Sequence, residues 1–209
     1  MDNILLINKP KGITSFDVIR QLKKKLGNVK MGHAGTLDPN ASGLMLIGIN
    51  EGTKKLTKLV GLDKTYIAEI LLGTKTDSGD ITGKVIEEKP VPEISEEKIK
   101  NVLESMIGDL ILEVSLYSAM KRKGRPLYKY AREGKEITKP KRVMTVYKAD
   151  LKKCTPDTHI IEVEFLVGSG TYIRSLAEEL GERLGTVATL QNLRRTRIGN
   201  FEIKDAEKI

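Results

Sequence analysis

Short apolar runs alternate along this chain with stretches in which apolar residues recur every three or four positions. The first pattern is typical of strands and the second of amphipathic helices. The apolar runs predict strands over 4–7, 66–72, 84–88, 110–114, 143–151, 160–167 and 197–203. The helical spacing predicts helices over 16–26, 53–60, 96–106 and 171–184. Because strands and helices do not alternate regularly, we predict an α+β fold with a mixed, mostly antiparallel sheet flanked by helices.

Composition limits the size of the fold and the kind of partner. The 209 residues are 39% hydrophobic and 31% charged, which fits one domain over 1–209. The formal net charge of +8 suits a polyanionic partner, because Lys and Arg that neutralise phosphates release counterions. A lysine-rich surface also keeps a protein in solution, so charge alone leaves both interpretations open.

The small number of cysteines and histidines limits the kinds of disulfide and metal site that the chain can form. Cys154 is the single cysteine, so a disulfide within the chain and a cysteine-based zinc site are excluded. His33 and His159 are the two histidines, which argues against a transition-metal site. The first residues lack the basic region and long apolar stretch of a signal peptide, and no apolar run is long enough to cross a bilayer. We expect a cytoplasmic monomer without a membrane partner.

A glycine-rich segment carries the first candidate for chemistry, Gly32-His33-Ala34-Gly35-Thr36-Leu37-Asp38-Pro39-Asn40-Ala41-Ser42-Gly43. Glycines allow close approach by a ligand, and a proline biases the preceding residue towards an extended conformation. Asp38 held in this way could be presented to a substrate. Asp before Pro is also a common way to open a turn, and His33 taken alone is typical of a surface or capping residue.

A second candidate is Val167-Gly168-Ser169-Gly170-Thr171-Tyr172-Ile173-Arg174. A strand that enters a Gly-Ser-Gly turn and then a helix directs backbone N–H groups towards an anion. Arg174 falls in the first helical turn, where its guanidinium could pair with a carboxylate. A surface arginine beside an ordinary helix start is the simpler interpretation of these residues alone.

The third candidate is a basic stretch over 121–142 that contains Tyr128 and Tyr130. Basic side chains bracket phosphates while aromatic rings offer stacking surfaces for bases, so this composition favours RNA over a merely solvated loop. The segment Leu193-Arg194-Arg195-Thr196-Arg197 adds a second basic cluster near the C-terminus.

Taken together and in this order, these segments resemble the bacterial tRNA pseudouridine-55 synthases. The residues that carry the resemblance are 8–15, 32–39, 41–44, 64–66, 72–80, 117–121, 124–128, 131–132, 170–176 and 193–196. Each motif is weak by itself, whereas the ordered set is specific and extends over nearly the whole chain. Met120 stands where a leucine is usual in these enzymes, which is a conservative difference.

The resemblance implies a pseudouridine synthase fold with an active-site cleft across one central sheet. It also implies a reaction without cofactor or metal, in which a uridine is detached from its ribose, turned and rejoined through C5. Asp38 matches the catalytic carboxylate, which either attacks the sugar or abstracts a ribose proton. Arg174 would pair with Asp38, and Tyr66 would pack against the target base and assist removal of the C5 proton.

The same resemblance implies a tRNA T-stem-loop as the partner. His33 would reach into the T-loop, and Asp80 matches an acidic position near the target uridine. A basic, thumb-like segment of about 118–146 would close over the RNA. The further residues expected to bind RNA are Tyr172, Lys121, Arg125, Tyr128 and Arg132. The C-terminal RNA-binding domain of the PUA type that is common in the family is expected to be absent from this catalytic domain.

Three other functions stay open from the sequence. The first is a non-catalytic RNA-binding or tRNA-folding protein with the same fold. The second is the related guide-RNA-dependent catalytic subunit of box H/ACA particles. The third treats Gly168-Ser169-Gly170 as a nucleotide cradle in a small-molecule enzyme, although the P-loop lysine is missing.

Overall fold

The computed structural model describes residues 3–122, 124–133 and 137–209, without the side chains of Arg132 and Pro156. Its α-helices are α1 (Ser15–Leu26), α2 (Leu56–Val60), α3 (Glu96–Ser105), α4 (Leu127–Arg132) and α5 (Ile173–Leu184). Its strands are β1 (Ile4–Lys9), β2 (Met31–His33), β3 (Ala41–Ile49), β4 (Lys64–Leu72), β5 (Thr74–Thr76), β6 (Val85–Glu88), β7 (Gly108–Glu113), β8 (Lys121–Arg122), β9 (Arg125–Pro126), β10 (Lys141–Thr155), β11 (Ile160–Val167), β12 (Ala188–Ile198), β13 (Phe201–Glu202) and β14 (Glu207–Lys208). Short 3₁₀ turns occur at Asn50–Lys55, Pro156–Thr158 and Ile203–Asp205.

Most of these strands form one sheet with the order β14-β1-β3-β12-β4-β11-β10-β7. Strand β2 pairs in addition with β3, and β13 with β12. The sheet is mixed, because β1 is antiparallel to β3 and β7 to β10, whereas β3 is parallel to β12 and β1 to β14. Two separate hairpins consist of β5 with β6 and β8 with β9. The predicted α+β fold with a mixed sheet is confirmed.

The chain divides into two compact units. The first unit contains Met1–Ala68, Glu164–Ser169 and Asn192–Ile209. Its core includes a cluster in which the buried side chains are Ala34, Leu44, Leu46 and Ile198. Helix α1 belongs to this unit and buries Val18, Ile19 and Leu22, as its apolar spacing predicts.

Helix α1 begins where the sequence indicates. The Thr14 side chain accepts a hydrogen bond from the Asp17 amide at 3.1 Å, and the Thr14 amide donates to Asp17 Oδ2 at 2.8 Å. These reciprocal bonds form a capping box, which satisfies backbone N–H groups that the first helical turn leaves unpaired. The start of α1 is therefore fixed, and with it the position of Ser15 immediately after the cap.

The second unit contains Glu69–Val163 and Gly170–Gln191. Helix α5 buries Leu176, Ala177, Leu180 and Leu184 in this unit. A further cluster consists of Val114, Leu127 and Met144, with Met120 and Tyr172 packed against it. The start of the basic segment is thus attached to an apolar core through Leu127.

The sequence misplaces one strand and overlooks several others, among them β3 and β12 of the main sheet. The strand predicted over 197–203 is correct only in part, because β12 ends at Ile198, β13 covers Phe201–Glu202 and a 3₁₀ turn begins at Ile203. Strand β12 itself begins at Ala188 and was not predicted, since its polar residues lack the alternation of a half-buried strand. The glycine-rich segment also contains the short strand β2. None of the helices in the described residues combines the length and apolar character that crossing a bilayer requires.

Candidate active site

Asp38 lies in the loop between β2 and β3 of the first unit, and its neighbours fix the loop on both sides. The Ser15 hydroxyl accepts a hydrogen bond from the Leu37 amide at 2.9 Å and donates one to the Leu37 carbonyl at 2.9 Å. The Asp38 carbonyl accepts from the Ala41 amide at 3.0 Å, and the Pro39 carbonyl from the Gly12 amide at 2.8 Å. Asp38 therefore does open a turn, and that turn holds its half-buried side chain on a well-defined backbone.

A fully buried lysine lies beneath this loop. Lys9 Nζ donates to the carbonyls of Pro10 at 3.0 Å, Ile13 at 2.7 Å and Pro39 at 3.4 Å. Burial lowers the pKa of Lys9 to about 8, while the Asp38 carboxylate opposes that shift. The ammonium group thus ties the strand β1 to the Asp38 loop and is close enough to Asp38 to interact with its charge.

His33 ends strand β2 in the same unit. Its side chain is half-buried, and Nδ1 is inaccessible to solvent without a hydrogen-bond partner among the described residues. Burial, and after it the Arg195 guanidinium, hold the pKa of His33 below its usual value. A backbone hydrogen bond to Gly35 opposes this lowering of the pKa, and the net direction favours the neutral imidazole at pH 7.

Tyr66 lies on β4, where alternate residues are buried, and its side chain is 8% exposed. Lys64 precedes it on the same buried face and donates to the carbonyls of Val60 at 2.5 Å and Leu62 at 2.6 Å. Burial lowers the pKa of Lys64 to about 8. Lys64 therefore supports the end of α2 and the start of the strand that carries Tyr66.

Asp80 is the centre of a hydrogen-bonded turn in the second unit. Its Oδ1 accepts from the Thr82 amide at 2.9 Å, the Thr82 hydroxyl at 2.5 Å and the Ser78 hydroxyl at 3.1 Å. Asp80 also forms a parallel bridge with Leu190 of β12, and its side chain is largely buried. These contacts give the Asp80 carboxylate a defined orientation.

Arg174 is buried in the first turn of α5, so its interpretation as a surface arginine is wrong. Its Nη1 donates to the Ser78 carbonyl at 2.8 Å and its Nη2 to the Tyr117 carbonyl at 3.0 Å. The same Nη1 lies 3.8 Å from Asp80 Oδ2, and the side chain of Arg174 is 6% exposed. The structure therefore brings Arg174 and Asp80 together, as two of the predicted site residues in the second unit.

The start of α5 differs from an open anion cradle. Tyr172 precedes the first helical residue, and its amide donates to Met144 Sδ at 3.5 Å. The Arg142 guanidinium lies against Gly170, so closely that a β-carbon at Gly170 would overlap it. The Tyr172 N–H group is thus engaged within the protein, which weakens the nucleotide-cradle alternative.

The basic segment forms a hairpin, β8 with β9, followed by the short helix α4. Arg125 pairs with Glu133, and its guanidinium lies 4.8 Å from the centre of the Tyr130 ring. Lys121 is exposed, and the Tyr128 amide donates to the Ser118 carbonyl at 3.1 Å. Arg132 ends α4, and its side chain lies outside the described residues.

Metal ligands do not converge anywhere in the part of the chain that the structure describes, since no three histidine, cysteine or acidic side chains come together as a metal would require. Cys154 is half-buried on β10, and burial raises the pKa of its thiol.

The sequence matches the model of the TruB family of pseudouridylate synthases (N-terminal domain) over residues 23–173. Residues 174–209 match the model of the tRNA pseudouridylate synthase B C-terminal domain. The chain belongs to the TruB family. The family models divide at the start of α5, between Ile173 and Arg174.

Curated relatives named tRNA pseudouridine synthase B match along nearly the whole chain. The protein of Endomicrobium trichonymphae is 44% identical over 99% of this chain and 89% of its own length. The protein of Caldicellulosiruptor saccharolyticus is 46% identical over 99% of this chain and 70% of its own length. Both relatives belong to the family that the ordered motifs predict.

Among solved structures, a chain of a Cbf5–Nop10–Gar1 complex superimposes with a TM-score of 0.77 at 27% identity. The match covers 100% of the present chain and 52% of that chain, so the present TruB-family chain spans about half of its length. This agreement supports the pseudouridine synthase fold that the sequence predicts.

The sequence does not indicate that three cationic side chains of this TruB-family protein are buried. Lys9 and Lys64 stand in motifs that the resemblance includes, yet nothing in their pattern indicates that they are buried. Arg195 was grouped with a basic cluster, although the structure buries it almost completely. The residues beside Arg195 give no signal of burial, because Arg194 and Thr196 flank it, and only the pairing of β12 with β3 places it in the interior.

Proposed function

We propose that this protein isomerises uridine to pseudouridine in tRNA, at the T-loop uridine of position 55 and without a cofactor. The observation that carries the proposal is the match to the Endomicrobium trichonymphae tRNA pseudouridine synthase B, 44% identical over 99% of this chain. The family match over 23–173, which includes Asp38 and Tyr66, supports the same activity.

In this reaction the bond between N1 and C1′ breaks, the uracil turns, and a bond between C5 and C1′ forms. The base loses the proton on C5 and gains one on N1. We assign Asp38 as the carboxylate that acts on the ribose. Its support is the loop geometry, since hydrogen bonds on both sides of Asp38 hold the backbone before a substrate arrives. Preorganised charge of this kind is the main source of electrostatic catalysis.

Tyr66 and Arg174 complete the proposed catalytic set. Tyr66 would pack its ring against the target base, a contact that suits an aromatic side chain on a buried strand position. Arg174 is preorganised by the carbonyls of Ser78 and Tyr117. Its pairing with Asp38 stays a prediction, and so does the part of Tyr66 in removing the C5 proton.

The remaining predicted residues would bind the RNA. A base in a folded loop must be extruded before its glycosidic bond can be reached, which costs a few kcal/mol. The half-buried His33 would reach with the accessible part of its ring into the vacated T-loop. The basic hairpin offers charge through Lys121, and helix α4 offers an aromatic ring through Tyr128. We also propose Asp80, Tyr172, Arg125 and Arg132 as residues that bind RNA.

The function is tested by incubating the purified protein with an unmodified tRNA T-stem-loop and mapping pseudouridine at single-nucleotide resolution. We expect conversion of the position-55 uridine alone, without added guide RNA or cofactor. The matched control is the same stem-loop with cytidine at that position, which should remain unmodified.

Three other outcomes would replace this proposal. Conversion that occurs only after a guide RNA is added would make the protein a guide-dependent synthase. Tight binding of the stem-loop with no conversion under any condition would make it a non-catalytic RNA-binding protein. Binding of mononucleotides without binding of RNA would instead revive a small-molecule enzyme.

A further inference from the structure

Arg195 differs from the other arginines in its strand. Arg194 and Arg197 are exposed on β12, whereas Arg195 is 1% exposed. A buried guanidinium is costly unless hydrogen bonds satisfy it. Arg195 therefore has a structural reason to be arginine that its exposed neighbours lack.

The two side-chain contacts of Arg195 lie on either side of Asp38, one in the Asp38 loop and one on β3. Its Nε donates to the Leu44 carbonyl at 2.8 Å, and its Nη2 donates to the Gly35 carbonyl at 3.1 Å. Gly35 precedes Asp38 by three residues, and Leu44 follows the loop on β3. One planar side chain thus sets the distance between the start of the loop and the strand at its end.

The backbone of Arg195 reinforces this arrangement. In the parallel pairing of β12 with β3, Arg195 is the register partner of Gly43, the residue before Leu44. The backbone of Gly43 approaches that of Arg195 so closely that a β-carbon at Gly43 would overlap it. The guanidinium is therefore anchored at its own Cα to the strand that leaves the loop.

We propose that Arg195 is a positioning residue, which fixes the loop between β2 and β3 to the start of β3 and thereby sets the place of the Asp38 carboxylate. The inference rests on the proposed function in one respect, namely that Asp38 is the catalytic group. Arg195 acts through the loop backbone and does not itself need to touch the substrate. Its electrostatic influence on His33 and Lys9 agrees with a location beneath this loop.

Lysine cannot replace arginine in this position. A guanidinium presents several donors in a rigid plane and can reach two carbonyls at once, whereas an ammonium group on a flexible stem cannot reproduce both directions. Arg195→Lys should keep the positive charge and lose the fixed distance across the loop. Arg195→Met should lose both and leave the Gly35 and Leu44 carbonyls without this donor.

The test compares Arg195→Lys and Arg195→Met with Arg197→Lys, which makes the same change at an exposed residue of the same strand. Single-turnover rates at saturating T-stem-loop RNA are measured together with the RNA Kd and the thermal midpoint. We expect Arg195→Lys to lower the rate at least tenfold with a Kd within twofold of wild type. Arg195→Met should lower the rate further, and Arg197→Lys should change it by less than twofold.

A second measurement does not depend on activity. Hydrogen exchange is followed at the amides of Ala34, Leu37 and Ala41, which are hydrogen-bonded in the loop. We expect these amides to exchange slowly in the wild type and at least tenfold faster in Arg195→Lys, with no change in Arg197→Lys. If the wild type converts no uridine, the proposed function fails, and hydrogen exchange still tests whether Arg195 fixes the loop backbone.

The inference is overturned by any of three results. The first is a rate for Arg195→Lys within twofold of wild type. The second is a rate that falls only in parallel with RNA affinity and thermal stability, as in a purely structural defect. The third is a wild-type loop whose amides exchange as fast as an exposed coil.

Discussion

Individual buried cations are the least expected residues of this protein. Lys9, Lys64 and Arg195 are each at most 5% exposed, and backbone carbonyls accept their hydrogen bonds. Carbonyl groups at loops and helix ends need donors when they are buried. Each cation thereby stabilises a loop or a helix end of the first unit. Its removal should therefore lower the stability of the fold more than it lowers RNA affinity.

Lys9→Met should lower the free energy of unfolding by about 2 kcal/mol at pH 7, because carbonyls of Pro10, Ile13 and Pro39 lose their donor. Urea unfolding followed by circular dichroism measures the change. Lys11→Met, at an exposed position two residues along, is the matched control. Equal stability of Lys9→Met and wild type would contradict the role assigned to this ammonium group.

The difference in free energy of unfolding between wild type and Lys9→Met should also widen as pH rises. The folded-state pKa of Lys9 is lowered to about 8, so below that pH the lysine is protonated in both states. Between pH 8 and its ordinary value near 10.5, the unfolded chain retains the proton and the folded chain loses it. Stability rises with pH wherever the unfolded state binds more protons. If the difference in free energy of unfolding between the two proteins narrows from pH 7.5 to 9.5, the expected direction of the pH dependence is contradicted.

Among the elements, the parallel pair of β3 and β12 depends on a single glycine. Gly43 has a φ of +112°, and its position against Arg195 leaves no space for a side chain. Gly43→Ala should therefore destabilise the fold by more than about 3 kcal/mol, through both strain and overlap. Thermal and urea unfolding measure this loss.

Gly12→Ala is the control for that change, because Gly12 has a φ of +90° and nothing lies within 4 Å of a β-carbon there. Strain alone should cost about 1–2 kcal/mol at Gly12. If both substitutions have the same cost, the close approach of Gly43 to Arg195 does not limit the pairing of these strands.

The helices and strands also show which parts of the fold the sequence pattern predicts. Helix α1 and strand β11 agree with their apolar periodicity, and Thr14 and Ser95 cap helices as their residue types suggest. Strand β12 escaped prediction because a buried arginine interrupts its apolar pattern, and local periodicity cannot distinguish a satisfied buried charge from a solvated one. The carbonyl group that accepts the hydrogen bond of this arginine belongs to Leu44 of β3, which is 151 residues away in the sequence.

For the molecule as a whole, the family and the fold follow from the order of motifs, whereas the geometry of the site does not. No spacing in the sequence indicates that Asp80 accepts from Ser78 and Thr82, or that Arg174 donates to the carbonyls of Ser78 and Tyr117. These bonds join residues that are close only after folding. The catalytic assignments accordingly remain predictions that experiments on the whole protein must test.

The net charge of +8 predicts RNA binding that weakens steeply with salt. The logarithm of the T-stem-loop Kd should rise linearly with the logarithm of salt concentration, as fluorescence anisotropy would measure. Lys121→Gln, at an exposed position of the basic hairpin, should reduce that slope by about 0.7–0.9. Lys208→Gln, exposed on β14, is the control, and a salt-independent Kd would contradict an electrostatic interface.

The assignment of Asp38 as the catalytic carboxylate is the central claim, and replacing its charge without its shape tests that claim most directly. Single-turnover conversion of the T-stem-loop is measured for wild type, Asp38→Asn and Asp205→Asn, an exposed aspartate of the same unit. Asp38→Asn should bind the RNA and lose roughly 10³-fold or more in rate, while Asp205→Asn remains at the wild-type rate. Conversion by Asp38→Asn at the wild-type rate would contradict the assignment.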